Sequence, residues 1–370
     1  MHLALFFTRN VSLKTWDECG GFDREVALYL ELRRKGVRIT LITYGTSSES
    51  AYASRLPGIN IICNRWNFSP AMYERLLPWL HGIHLLRCDI IKTNQTNGAE
   101  VALRAARLWR KPLVARCGYM WSDLAAHGGP DRQAEAVKAR SIELKVFGRA
   151  AAVAVTTDSM KQYACTQYQL PEEKIHVIPN YVLTDLFAPR ARTDAGTQLC
   201  FIGRFSAEKN PLALVEACAG IDADLVMIGS GPLRGEIEKT GRQHGVRLLM
   251  PGNLPHSDLP NILNRSSLFL LVSPHEGNPK TLLEAMSCGL PVIGADAPGI
   301  REIIRHGENG WLCGTDAASI RQAILKLLGE PELRAQLGIN ARNFVAARHG
   351  LDAIIRQETA LYQTMLSQRS

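Results

Sequence analysis

No stretch of this chain approaches the ~18 consecutive apolar residues that a membrane-spanning helix needs. The opening MHLALFFTRN turns polar too soon for a secretory leader, so a cytoplasmic location is expected. The nine cysteines include no C-x2-C pair, which argues against a zinc site or disulfide frame and for reduced thiols. There is no G-x-G-x-x-G, which disfavours a dinucleotide-dependent oxidoreductase. Low-complexity tracts and short repeats are also missing, and with them the solenoids. Asp222-Ala-Asp224 matches a D-x-D metal pattern, but it precedes a strand with no third acid nearby. It is read as a solvated strand start, and no metal is expected.

What is present suits a soluble globular protein: 370 residues, 46% apolar and 21% charged, with room for two domains. The net charge of +8 is unevenly spread. Residues 1–185 hold 24 Lys and Arg against 17 Asp and Glu, and the remainder 19 against 18. A basic face in the first half can attract anionic lipid headgroups, a phosphorylated acceptor or nucleic acid, or can be plain solvated surface.

The stretch from His275 to Ala295 organises the second half. Asn278 suits an N-cap and Pro279 the first helical position, Gly289 ends the helix, and Val292-Ile293-Gly294 reads as a buried parallel strand. Such a helix start leaves the N–H groups of Lys280, Thr281 and Leu282 without intrahelical partners, and so attracts phosphate. Glu276 precedes it and Glu284 lies inside it, on the order of 8 Å further along the axis at ~1.5 Å per residue. Two acceptors bracketing a phosphate cradle match a nucleotide sugar, which has sugar hydroxyls at one end and ribose hydroxyls at the other.

Elsewhere the pattern alternates strand and helix. His2–Phe7 and Val37–Thr43 read as strands around a helix from Phe22 to Arg34 closed by Gly36. Residues 59–62 and 89–92 are expected strands, with a helical stretch from about Pro70 to Leu86 between them. The aromatics and leucines of that stretch are expected to fill the core. Because Arg75 and Arg87 flank the apolar residues, a surface-seeking amphipathic segment is the alternative. A helix over Gly98–Trp109, the strand Leu113–Ala115, a basic helix over Asp131–Arg149 and the strand Ala151–Val155 follow. The polar and aromatic loop through His127-Gly128-Gly129 is a candidate acceptor mouth. After a polar linker over Pro189–Gly196 come the strands Leu199–Ile202, Leu225–Ile228, the strand and turn of Leu248–Leu254, and Ser267–Val272, with helical periodicity from Asp316 onward.

Glu276 and Glu284, the LLEAMSCGLPVI that follows, and GRFSAEKNP at Gly203–Pro211 resemble the donor-site signatures of retaining glycosyltransferases of family 4. IPN at residues 178–180, D-x-F ending at Phe187, and Pro298–Glu302 through Asn309–Leu312 fit the same pattern. The resemblance implies an α/β GT-B architecture. Two Rossmann-like, doubly wound parallel-sheet domains face each other across a cleft: an acceptor domain over 1–188 and a donor domain over 189–351. A C-terminal helix over about 352–370 crosses back to the first.

It further implies that Arg204 and Lys209 neutralise the donor diphosphate, a fork donor beside a point charge. Gly20 and Gly21 let the backbone approach the donor, Gly203 opens the phosphate loop, and backbone around Leu254 reads the base. Glu276 orients the donor sugar and Glu284 the ribose, beside the Asn278 end of the helix. Many members carry a His where Arg116 stands; an arginine cannot serve as a base near neutral pH but can bind phosphate or a hydroxyl.

The expected activity is transfer of a sugar from a UDP- or GDP-sugar to a glycan or lipid-linked acceptor in surface polysaccharide or glycoconjugate synthesis. No cofactor or nucleic acid is involved, and peripheral contact with an anionic membrane is allowed for. A same-fold epimerase or phosphorylase and a non-catalytic anion-binding protein are the alternatives.

Overall fold

The computed structural model of the chain describes residues 1–126, 132–191 and 196–367. The candidate acceptor mouth at His127-Gly128-Gly129 and residues 192–195 of the expected linker lie outside these. The chain divides into two compact units, Met1–Pro179 with Ile355–Ser370, and Asn180–Ile354.

The first unit is one parallel sheet of seven strands: β1 (His2–Phe6), β2 (Arg38–Ile42), β3 (Ile59–Ile62), β4 (Ile90–Thr93), β5 (Leu113–Cys117), β6 (Ala152–Val155) and β7 (Ile175–Val177). Their order is β3-β2-β1-β4-β5-β6-β7. β1 pairs with β2 from His2 opposite Arg38 to Phe6 opposite Ile42, and with β4 from Leu3 opposite Ile90. These strands are nearly continuous apolar runs because helices cover both faces of the sheet. Phe22–Arg34 is helical as expected, and Gly36 ends it at φ +88°, where a side chain would be strained.

The expected single helix after β3 splits into Pro70–Leu80 and Gly82–Arg87. Pro78, inside the first, has no N–H to continue the ladder. Short helices also form over Leu13–Glu18 and Trp121–Ala126. Long-range acceptors hold their starts. Buried Glu49 takes the N–H groups of Leu13 and Lys14, and buried Glu143 those of Trp121 and Ser122.

The second unit is a parallel sheet of six strands: β8 (Gln198–Ile202), β9 (Asp224–Ile228), β10 (Arg247–Gly252), β11 (Leu268–Leu271), β12 (Val292–Ala295) and β13 (Trp311–Cys313). The order is β10-β9-β8-β11-β12-β13. Alternate residues of one strand enter opposite cores, Phe269 and Leu271 one and Leu268 and Leu270 the other, as in a doubly wound sheet.

The boundary falls at 179/180, not at 188/189. Residues 180–188 are tied into the second unit: Val182 N–H donates to the His349 carbonyl at 2.8 Å, and Ser287 Oγ to the Phe187 carbonyl at 2.7 Å. The last helix runs from Leu351 to Ser367; its start, to Ile354, belongs to the second unit and the rest to the first.

Candidate functional site

In an open parallel sheet, ligands gather outside the carboxyl ends of the strands where the strand order reverses. In the second unit that point lies between β8 and β11. The loop after β8 carries Gly203, Arg204 and Lys209, and the loop after β11 carries Glu276. Lys209 Nζ donates to Glu276 Oε1 at 2.5 Å, so the two loops meet through a cation and a carboxylate. The Glu276 side chain is 9% exposed and that of Arg204 71%, with Nη1 3.9 Å from Glu208.

Local chemistry aims Lys209. A 3-10 turn over Ala207–Lys209 ends at Asn210, which takes the left-handed conformation at φ +52°. Asn210 Nδ2 donates to the Thr315 carbonyl at 2.7 Å, and Pro211 opens the next helix at its first position. The loop after β9 packs beneath: a Cβ on Gly229 would fall 2.0 Å from the Gly203 carbonyl oxygen, and one on Gly231 2.4 Å from that of Phe205. Glu276 is braced in the same way. Its N–H donates to the Pro298 carbonyl at 3.2 Å, and Gly299, at φ +79°, leaves no room for a Cβ, which would sit 2.3 Å from the Glu276 carbonyl oxygen.

The helix after Glu276 begins one residue later than expected. It spans Lys280–Ser287 with Pro279 at the cap position, and its first bond runs from Leu283 N–H to the Pro279 carbonyl. The N–H groups of Lys280, Thr281 and Leu282 therefore precede the helical ladder, as anticipated. Asn278 does not cap it. Its buried side chain accepts the Asn180 N–H at 2.9 Å, while its carbonyl accepts Asn180 Nδ2 at 2.6 Å, so it fastens the segment entering this unit.

Glu284 is buried, with Oε1 2.8 Å from Nε2 of buried His256, whose ring lies 4.9 Å from that of Phe187. Leu254, in the loop after β10, packs half-buried on the same core. His256 was not anticipated; a carboxylate inside an otherwise apolar helix was the available sign that a buried partner exists. Ser206 and Ser273 were also missed. Both hydroxyls are buried in the loops after β8 and β11 and have no hydrogen-bond partner among the described residues. Asp222 and Asp224 do stand at a strand start, where Arg247 pairs with them at 2.9 and 2.7 Å.

In the first unit, Gly20 at φ +72° and Gly21 form the turn that opens the Phe22–Arg34 helix, and Gly21 N–H donates to the Trp16 carbonyl at 2.8 Å. Arg116 lies on β5, part-buried. Its N–H donates to Thr93 Oγ1 at 3.0 Å and Nη1 to the Ile178 carbonyl at 3.2 Å. Close by, Lys92 Nζ donates to Glu358 Oε1 at 2.5 Å, both side chains fully buried, and Tyr362 OH donates to Glu358 Oε2. Burial alone would raise the Glu358 carboxyl, but Lys92 and Arg116 outweigh it and hold the group below its ordinary range. Arg116 thus joins a buried charge cluster that binds the end of the chain to this sheet.

A family profile described as "Glycosyl transferases group 1" matches residues 185–344, and one described as "Glycosyltransferase Family 4" matches residues 26–186. The chain is 29% identical over 245 residues to an alpha-D-kanosaminyltransferase of Streptomyces kanamyceticus, covering 61% of this chain and 63% of that protein, less than two thirds of its length. It is 27% identical over 284 residues to a UDP-Gal:alpha-D-GlcNAc-diphosphoundecaprenol alpha-1,3-galactosyltransferase of Escherichia coli, covering 69% and 70% of the two chains. In fold it is similar to a sucrose-phosphate synthase from Thermosynechococcus elongatus, with a TM-score of 0.82 at 19% identity over 100% of both chains.

Proposed function

This chain belongs to the group 1 glycosyl transferases of glycosyltransferase family 4, and we propose that it moves a sugar, with retention, from a nucleotide-diphosphate sugar of the UDP or GDP type to a hydroxyl of a glycan or lipid-linked acceptor. Glycosyl transfer follows from the family; the finer reading rests on the Lys209–Glu276 pair at the switch point of the second sheet. A diphosphate competes with Glu276 for the Lys209 ammonium. Once Lys209 turns to phosphate, the Glu276 carboxylate is released to accept hydroxyls of the donor sugar. Arg204 and the amides of Lys280–Leu282 take further phosphate oxygens. Glu284, steadied by His256, serves the ribose, and backbone near Leu254 the base.

In the reaction the bond from the anomeric carbon to the leaving phosphate oxygen breaks, and the acceptor oxygen bonds to that carbon on the same face. The acceptor proton passes to the leaving phosphate. Negative charge grows on the diphosphate while the sugar becomes oxocarbenium-like, and Arg204 and Lys209 act where that charge develops. This compensation by side chains needs no metal. A role in surface polysaccharide or glycoconjugate assembly is supported by the Escherichia coli relative, whose name specifies an acceptor on diphosphoundecaprenol.

The test is a thermal-shift screen against UDP, GDP, ADP and their sugar conjugates, with and without chelator, followed by donor turnover with and without a lipid-linked sugar. Stabilisation by one nucleoside diphosphate and acceptor-dependent release of it are expected. Conversion of the donor without acceptor would instead mark an epimerase, and no response to any nucleotide would reject the site.

A further inference from the structure

We propose that the outer face of helices Pro70–Leu80 and Gly82–Arg87 is a docking surface for an anionic phospholipid bilayer. The proposal deepens the reading of a lipid-linked acceptor, although its observations are independent of the donor site.

Met72 and Trp79 stand seven residues apart on the first helix and Ile83 and Leu86 three apart on the second, in each case the spacing of one helical side, and Trp79 and Ile83 line the same cavity. The four are 49%, 63%, 68% and 58% exposed. The opposite side, with Tyr73, Leu77 and Leu85, already fills the core, so folding does not require the outer residues to be apolar. Single exposed apolar side chains are ordinary, whereas four large ones on two successive short helices, two of them beside one cavity, are not. Leu108 is also 44% exposed at the end of the neighbouring helix Ala99–Leu108, and Trp109 Nε1 fastens that helix end to the Pro78 carbonyl at 2.8 Å.

The charge around the row is predominantly positive. Residues 65–111 hold eight Lys and Arg against three Asp and Glu. All three acids are already engaged: Glu74 with Arg9 at 2.6 Å, Glu100 with Arg9 at 3.9 Å, and Asp89 with the His2 N–H at 2.7 Å. Lys92 is buried against Glu358. Arg65, Arg75, Arg87, Arg104 and Arg107 remain on the surface.

Beside the row, a cavity of about 320 Å³ is lined by Asn60, Cys63, Arg65 and His84, with Trp79 and Ile83 among its walls. Cationic and amide groups next to apolar side chains suit a phosphate headgroup above acyl chains. The tryptophan belongs at such a boundary, since its ring is apolar and its N–H polar. Aliphatic Ile83 and Leu86 at the centre favour a lipid surface over nucleic acid, which offers them little.

The experiment is co-sedimentation of the full chain with phosphatidylcholine vesicles, with and without phosphatidylglycerol, at low and high salt. Wild type should bind only the anionic vesicles and release in salt. Arg75→Gln and Arg87→Gln should each weaken partitioning about fivefold. Trp79→Ser with Ile83→Ser should lose binding even at low salt, with the thermal response to nucleotide unchanged as proof of folding. Wild-type indifference to phosphatidylglycerol, or undiminished binding by the Trp79→Ser, Ile83→Ser variant, overturns the proposal. So does concentration-dependent self-association abolished by that variant without any vesicle binding, since the face would then belong to a second copy. Vesicle binding with no nucleotide response would sink the donor site and leave this surface standing; acceptor-dependent transfer with no vesicle binding would do the reverse.

Discussion

Replacing Glu276 with glutamine should leave affinity for a free nucleoside diphosphate intact or improved while sugar transfer collapses. Replacing Lys209 with methionine should weaken both. The asymmetry follows from the pair itself. At 2.5 Å the gross attraction is ~7 kcal/mol at an effective dielectric of ~20, and desolvation and side-chain ordering reduce the net to about 1 kcal/mol for a pair that water still reaches. A free diphosphate has no sugar for Glu276 to hold, so the carboxylate only competes for Lys209. Removing its charge should raise affinity for that ligand by up to about fivefold. Lys209→Met removes a charge-assisted bond of ~1.5–3 kcal/mol and leaves a carboxylate beside phosphate. Its binding should fall about 10- to 100-fold.

Transfer should drop about 10²- to 10³-fold in kcat for either variant, the usual cost of one missing group where transition-state charge or orientation is set. Isothermal titration with the diphosphate identified by the stabilisation screen, beside initial rates with the matching donor, reads both quantities. Equal losses of diphosphate affinity in the two variants would refute the competition argument. Wild-type turnover by Lys209→Met would refute the assignment of Lys209 to the diphosphate.

Three further outcomes follow from particular contacts. Glu358→Gln should destabilise the first unit by ~3–5 kcal/mol by stranding a buried ammonium, whereas Lys92→Met with Glu358→Leu should recover most of that loss; additive losses in urea titrations would exclude coupling. Burial pushes the imidazole of His81 down to about 4, so it stays neutral in the fold and takes a proton on unfolding below its ordinary value of 6.5. Stability from this group should be constant above pH 6.5 and fall between 6.5 and about 4, by ~2 kcal/mol at about pH 5, and the pH dependence of His81→Gln should lack that component. Gly299→Ala should cost ~1–2 kcal/mol for its left-handed backbone and should also slow transfer, because the added methyl meets the Glu276 carbonyl; an unchanged kcat would mean that Glu276 needs no brace.

The second unit was legible because its strands are apolar runs ending in glycine or polar residues, and the site lies at those ends. Gly203–Pro211 and His275–Ala295 could be read as loops leading into helices without knowing any partner. What the sequence did not carry was pairing. Lys209 and Glu276 lie 67 residues apart, so both were assigned to the donor but not to each other. Asn278 before Pro279 has the local form of a cap, yet the Asn180 N–H, 98 residues away, claims its side chain. Glu284 read as the second acceptor of the bracket, but Leu282 to Ser287 are buried throughout, so its carboxylate needs a partner inside the protein. Only a buried hydrogen-bond partner makes that position tolerable, and His256 supplies it from another loop.

The first unit shows the same limit on a larger scale. Its positive charge is a property of composition and is visible at once; where that charge is exposed depends on which acids are already engaged. Glu74 and Glu100 face Arg9, from the loop after β1, Asp89 meets the chain start, and Glu358 reaches Lys92 across 266 residues. With Lys92 buried against Glu358, the exposed arginines Arg65, Arg75 and Arg87 lie on the stretch that also exposes Trp79, Ile83 and Leu86. Helical periodicity alone had directed those residues to the core. Tyr73 and Leu77 do go there, but the break near Pro78 and His81 lets the inner row complete the core while the outer row remains at the surface. Apolar spacing therefore shows that a helix has two kinds of face, and only the neighbours already packed beneath it decide which face is left over for a partner.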